Sequence, residues 1–208
     1  MFGFDLTALI KAAGYAGLFG IVFAESGLLI GFFLPGDSLL FTAGVLASQG
    51  YLNIAVLVPL LGTAAILGDS AGYAFGRRVG NKIFYKEDSF FFNKGNIERA
   101  HAFFQKHGRK TIILARFLPV VRTFVPIIAG VGEMHYKTFL LFNVVGGVLW
   151  ACGLTFLGYF FGNVIPNPDR YLIPAIAAIV FISVLPTAIH LLRTPATRAH
   201  LAKLFRLR

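Results

Sequence analysis

The sequence predicts an all-α integral membrane protein: an inverted repeat with two re-entrant, membrane-dipping helical hairpins and about three to four transmembrane helices. Three observations carry this. Hydrophobic residues fill 57% of the 208 positions, charged residues only 13%, and mean hydropathy is +0.74, whereas an ordinary soluble domain is about 25% charged. Several apolar runs reach the roughly 20 residues that a helix needs to cross a hydrocarbon core of about 30 Å. Short motifs of the first half return, in order, in the second.

Taken in order, residues 2–13 place apolar side chains at helical spacing around Asp5 and Lys11, which suits a short interfacial helix or the start of a first span. The residues at the start lack the short apolar core and cleavage site of a secretory signal, so the N-terminus is expected to be retained. Residues 14–34 are apolar except for Glu25 and Ser26, and Pro35-Gly36-Asp37 then breaks the run. A short apolar helix over 39–47, too short to span, leads to a polar loop at 48–53. Residues 54–75 make a full span closed by Arg77 and Arg78, and a polar, lysine-rich stretch follows over 81–110. The apolar segment 111–131 is interrupted by Arg116, Pro119, Arg122 and Pro126. A full span over 139–161, a turn with Pro166 and Pro168, and a last span over 171–192 complete the membrane part, ahead of a basic tail over 193–208.

Positive charge orients such a chain. The 77–110 loop and the C-terminal tail are the two basic regions, so both are expected in the cytoplasm, with 48–53 and 163–170 outside. Segment 111–131 must then leave and re-enter on one side, as a re-entrant hairpin. The net charge of +10, from 19 basic and 9 acidic residues, therefore serves orientation and headgroup contact; no nucleic-acid partner is expected.

The repeat is the most informative pattern. Phe33-Leu34-Pro35 returns as Phe117-Leu118-Pro119, and Ala43-Gly44-Val45 as Ala129-Gly130-Val131. Gly72-Tyr73-Ala74-Phe75-Gly76 returns as Gly158-Tyr159-Phe160-Phe161-Gly162, and these last two pairs share an offset of 86 residues. One membrane domain over 1–208 follows, with repeat 1 at about 15–80 and repeat 2 at about 100–165. Equivalent points separated by one span give the copies opposite topology, the plan of many secondary transporters, whose broken segments bind substrate near the bilayer middle.

Glu25, Asp37, Arg116 and Arg122 are the candidate site, because each ionisable group in the apolar core costs at least about 2.5 kcal/mol. One reading is structural: acid–base pairs that hold the hairpins together, or side chains that snorkel. The functional reading gives Arg116 and Arg122 an anionic headgroup, since a planar guanidinium matches phosphate oxygens bidentately and stays charged when desolvated. Glu25 and Asp37 then serve as proton carriers, balanced between desolvation and a neighbouring guanidinium. Pro35 and Pro119 support the site by breaking the helices that carry it. Asp69 either caps or pairs with Arg77, eight residues on, or supports the cavity. Gly72, Gly76 and Gly80 form a small-residue stripe for close helix packing. Tyr73 and Tyr159 read as packing or hinge aromatics, and Asn143, Trp150 and Thr155 as interhelical hydrogen bonders.

Other chemistries find little in the chain. The single Cys152 makes an internal disulfide impossible, and the five histidines show no zinc spacing. There is no Walker loop, nucleophile elbow or dinucleotide fingerprint. No metal, cofactor or enzymatic activity is expected.

Glu-Ser-Gly-Leu-Leu-Ile-Gly-Phe-Phe-Leu-Pro-Gly-Asp at 25–37, Gly68-Asp69 with Gly72-Tyr73-x-x-Gly76-Arg77-x-x-Gly80, and Arg116-Phe117-x-Pro119-x-x-Arg122 leading to Ala129-Gly130 and Met134 carry a resemblance. Asn143, Gly147 and Trp150 continue it. Over about residues 15–165 the chain resembles the DedA family of bacterial inner-membrane proteins, part of the VTT-domain, SNARE-associated Golgi group. The resemblance implies lipid translocation driven by the proton motive force, with undecaprenyl phosphate as the first cargo and Glu25, Asp37, Arg116 and Arg122 as the functional set. Phosphatidylethanolamine or another phospholipid, a proton-coupled small solute, or a non-transporting scaffold are the alternatives. A multi-pass protein of the bacterial cytoplasmic membrane is implied, its C-terminus cytoplasmic, and a homo-oligomer is compatible with it.

Overall fold

The computed structural model describes residues 6–28, 36–83, 110–117 and 119–165, with single positions at 174, 177, 178 and 181; every described element is helical. The span expected at 171–192, the tail, most of the 81–110 loop and Pro35 lie outside the described residues, apart from those positions.

Helix α1 covers Leu6–Gly27 and contains one non-helical residue, Gly14, at φ 57° and ψ −162°. Glycine is the residue that reaches this conformation without steric cost. The sequence boundary between residues 13 and 14 is therefore a kink within one helix and not a gap between two. Helix α2, Gly36–Ser48, is buried at every position except Asp37 and Ser48, as befits a helix that is apolar all round. Its 13 residues give a rise of about 20 Å, too short to span. It ends in a Schellman cap: Gly50 sits at φ 82°, Tyr51 N donates to Leu46 O and Gly50 N to Ala47 O.

Asn53 starts helix α3, Ile54–Ile83, by accepting from Ala55 N at 2.9 Å. This helix runs two turns past the expected end at 75 and carries Arg77 and Arg78 on its exposed last part. Helix α4, Lys110–Ala115, and helix α5, Pro119–Val131, are separated by a turn at 116–117. Proline at the first helical position costs no hydrogen bond, so Pro119 both ends one helix and begins the next. Helix α5 closes on the same cap as α2, with Met134 N to Ala129 O, Glu133 N to Gly130 O, and Glu133 at φ 52°. Helix α6, Tyr136–Gly147, continues through a π-helical turn at Val148–Cys152 into α7, Gly153–Val164. Three stretches are long and apolar enough to cross a membrane: Thr7–Gly27, Ile54–Val79 and Tyr136–Val164. Large apolar side chains such as Leu114, Leu141, Phe156 and Phe160 stand on the outside, where a lipid solvent accepts them.

Two helix pairs are built alike. Helix α2 packs on α7 and helix α5 on α3. A Cβ on Gly44 would overlap Thr155 O, and one on Gly158 would overlap Phe41 O. In the second pair, a Cβ on Gly130 would overlap Tyr73 O, and one on Gly76 would overlap Ile127 O. Gly44 and Gly130 are 86 positions apart, as are Phe41 and Ile127, but the partner helices correspond at 82, Gly76 with Gly158. The spatial match is thus one helical turn from the motif match of Gly72 with Gly158. Glycines four apart share a helix stripe, so a one-turn slip keeps a glycine at the contact.

Candidate functional site

Helices α1 and α3 touch backbone to backbone: a Cβ on Gly27 would lie 2.5 Å from Gly68 O, and one on Gly68 2.6 Å from Phe23 O. This close crossing carries Glu25 into the interior, where it is fully buried. Its Oε1 accepts from Gly36 N at 3.0 Å and from Arg122 Nη2. Gly36 N is one of the unpaired donors at the start of α2, a natural carboxylate site. A Cβ on Gly36 would collide with the Glu25 carboxylate, so glycine is required there.

Asp37, in the first turn of α2, receives Arg122 Nη1 at 2.6 Å and Trp150 Nε1 at 2.8 Å on the same oxygen, Oδ1. Arg122, early in α5, therefore serves two acids with two nitrogens, and its guanidinium carbon lies 4.7 Å from the centre of the Trp150 ring. Such a stacked cation gains further electrostatic attraction from the ring face.

Arg116 occupies the turn between α4 and α5 and makes a second cluster. Its Nη2 donates to Asp69 Oδ2 at 2.5 Å, Asn143 Oδ1 at 2.5 Å and Ala65 O at 3.4 Å. Asn143 is held in turn by its Nδ2 donating to Ile66 O at 3.0 Å. Gly146 and Gly147 make room: a Cβ on the first would lie 3.0 Å from Arg116 Cδ, and on the second 3.4 Å from Arg116 Nη2. The indole of Trp150 stands near both arginines, 5.9 Å from the Arg116 guanidinium carbon.

The sequence-derived set is thus brought together, but divided. Glu25 and Asp37 both hold Arg122, and Asp69 holds Arg116. Asp69 pairs with Arg116 and not with Arg77, which is exposed near the end of α3. Pro119 begins α5, three residues before Arg122. Asn143 and Trp150, read from sequence as interhelical hydrogen bonders, do bond other elements, and their partners include Arg116 and Asp37 of the candidate site. The signal for them was positional: 143, 147 and 150 are spaced i, i+4, i+7 and lie on one helix face. The π-helical turn contains Trp150, and such turns gather at functional sites. Thr155 donates within its own helix, to Ala151 O, and Tyr73 packs on Phe139 while donating to Met134 O.

A cavity of about 220 Å³ opens beside the cluster, lined by Asp37, Phe117, Leu149, Trp150, Gly153, Leu154 and Leu157. Among the described residues Asp37 is its one charged wall residue, while Phe117, Leu149 and Leu157 are each about half exposed on the apolar outer surface. The cluster is not fully satisfied among the described residues: Glu25 Oε2, Arg116 Nε and Arg122 Nε are buried and find no hydrogen-bond partner there. Each buried orphan costs about 1–3 kcal/mol, so these ion pairs are not the best arrangement the groups could make. Among the described residues no His, Cys, Asp and Glu cluster fit to hold a metal occurs.

Comparison with known proteins places this sequence in a family. The VTT domain model matches residues 34–160, a range that holds every site residue except Glu25. Protein DedA of Escherichia coli is 47% identical over 91% of this chain and 87% of its own. An uncharacterized membrane protein of Mycobacterium leprae is 52% identical over 81% of this chain and 75% of its own. Inner membrane protein YqjA of Escherichia coli is 40% identical over 72% of this chain and 68% of its own. No solved structure matches the chain.

Proposed function

The chain belongs to the VTT-domain family of membrane proteins, and we propose that it translocates an anionic lipid across the bacterial cytoplasmic membrane, with undecaprenyl phosphate as cargo and protons as the coupling ion. The observation that carries this is Arg122. One guanidinium is shared by Glu25 and Asp37, and Asp37 in turn lines a cleft whose other described walls are the buried Trp150 and apolar residues, of which Phe117, Leu149 and Leu157 are about half exposed. A phosphate with a hydrocarbon chain has the matching chemistry: the head takes the arginine, and the chain lies along Phe117, Leu149 and Leu157.

Protons enter through charge balance. Two buried guanidiniums face three buried or nearly buried carboxylates, Glu25, Asp37 and Asp69. An unbalanced buried charge costs several kcal/mol, so adding or removing one proton changes which partner Arg122 prefers. With its acids protonated, Arg122 is released to a phosphate; with cargo gone, the acids reclaim it. Arg116 lies behind it, fixed by Asp69 and Asn143, and adds positive potential and its unpaired Nε. The similar packing of α2 on α7 and α5 on α3 supports a two-repeat, alternating-access design in which α2 and the α4–α5 segment are the re-entrant parts. The reading is of a transporter and not of an enzyme.

The test is transport in proteoliposomes, with undecaprenyl phosphate or phosphatidylethanolamine as cargo, with and without a pH gradient. Wild type should move undecaprenyl phosphate only with the gradient, and Arg122→Lys and Glu25→Gln should each lose at least about 90% of the rate. Lysine cannot bridge two acids as a fork does. A well-folded wild type that moves only phosphatidylethanolamine shifts the cargo; one that moves neither sinks transport, and a non-transporting scaffold takes its place.

A further inference from the structure

A second cavity lies far from Arg122. It has a volume of about 430 Å³ and is lined by Ile10, Lys11, Gly14, Tyr15, Leu46, Tyr51 and Leu52. It sits where α1 kinks at Gly14 and where α2 ends in the Gly50 turn. Along α1, Lys11 is 14 residues from Glu25, or about 21 Å at helical rise; along α2, Leu46 is nine residues from Asp37, about 13 Å. None of its wall residues belongs to the Arg122 or Arg116 clusters.

We infer that this cavity is a separate binding site for an anionic phospholipid, its phosphate on Lys11 and the first part of its chains on Ile10, Leu46 and Leu52. Among the described residues Lys11 is the one charged residue of the wall, and it is not loose: its ammonium is held 3.9 Å from the centre of the Tyr51 ring, a contact that positions the charge without neutralising it. Tyr15 accepts a hydrogen bond from Asn53 N at 2.7 Å, which fixes the phenol and leaves its own O–H to point at a ligand oxygen. Two aromatic rings with polar edges beside a lysine are the composition of a membrane–water interface. The cavity falls within the usual range for small-ligand sites, about 300–1,000 Å³. A free inorganic anion would gain only Lys11 and the phenol; three aliphatic walls reward a ligand that carries hydrocarbon as well. The left-handed φ of Gly14 completes the shape. A Cβ there would meet nothing within 4 Å, so glycine serves the bend and not a close approach.

The site stands apart from transport and is tested without it. Full-length protein is released from nanodiscs of phosphatidylethanolamine in which about one lipid in five is phosphatidylglycerol, an anionic lipid that basic residues attract, and retained phosphatidylglycerol is counted by native mass spectrometry. Lys11→Glu, which reverses the charge, should cut retention at least about fivefold with unchanged melting temperature, and Leu46→Trp, which fills the cavity from a buried position, should cut it as much while the protein still melts cooperatively. Arg122→Gln, which removes only lipid held at the central cluster, should lower the count by less than about twofold. The same retention in Lys11→Glu and Leu46→Trp as in wild type overturns the site. Displacement of the lipid by millimolar inorganic phosphate alone overturns the lipid assignment and leaves a simple anion site. Loss in Arg122→Gln equal to that in Lys11→Glu shows that the counted lipid belongs to the central cluster.

Discussion

Replacing Asp69 by alanine should destabilise the protein by about 3 kcal/mol, because it strands a buried guanidinium. Asp69 and Arg116 are each 4% exposed and 2.5 Å apart. Removing one partner of such a pair typically costs about 3–5 kcal/mol. Arg116 would keep Asn143 Oδ1 at 2.5 Å and Ala65 O at 3.4 Å as acceptors, which places the loss at the low end. For a chain of this size about 1 kcal/mol shifts the melting temperature by roughly 2–4 °C, so the variant should melt roughly 6–12 °C lower in a detergent thermal-shift assay. Asp69→Leu combined with Arg116→Met removes both charges and keeps their volume, and should recover most of that loss. If Asp69→Ala melts within about 2 °C of wild type, or the double variant is no better than the single, the buried-pair reasoning is refuted. The double variant should still be inactive in transport, since it lacks the second arginine.

Three further outcomes follow from the geometry. Trp150→Phe keeps a ring beside Arg122 but deletes the N–H that holds Asp37, a charge-assisted bond worth about 1.5–3 kcal/mol, and should slow proteoliposome transport severalfold while the protein stays folded. Gly130→Ala sets a Cβ against Tyr73 O and must push α5 off α3; such overpacking costs about 1–3 kcal/mol, seen as a lower melting temperature. Glu133→Gly should do the reverse: Glu133 is exposed at φ 52°, a conformation costing a non-glycine residue about 1–2 kcal/mol, so the variant should melt a few degrees higher.

The membrane class, the order of the described helices and the burial of four charged side chains could be read from the sequence because lipid makes each of them expensive or obligatory. Hydropathy marked the spans, and the cost of burying charge marked Glu25, Asp37, Arg116 and Arg122. What sequence left open was pairing, since four charges far apart along the chain give no distances. It offered Asp69 either Arg77 or the cavity; only the fold of the 116–117 turn against α3 gives Asp69 to Arg116. Trp150 and Asn143 stayed in the background because a polar side chain in a span usually bonds a neighbouring helix. Their importance comes from the close approach of the elements around them, through Gly146 and Gly147. The repeat register was likewise one turn away from the motif match, because a stripe of glycines at four-residue spacing does not say which of them makes the contact.

Trp150 is the chain's one tryptophan, it donates to Asp37 and lies 4.7 Å from Arg122, so its fluorescence reports the exchange of Arg122 from acid to lipid phosphate. In nanodiscs, addition of undecaprenyl phosphate should shift or quench the emission saturably in wild type, and undecaprenol, the same chain without phosphate, should not. Identical spectra at saturating undecaprenyl phosphate, or an equal change with undecaprenol, would contradict an arginine that trades its carboxylates for the cargo's phosphate.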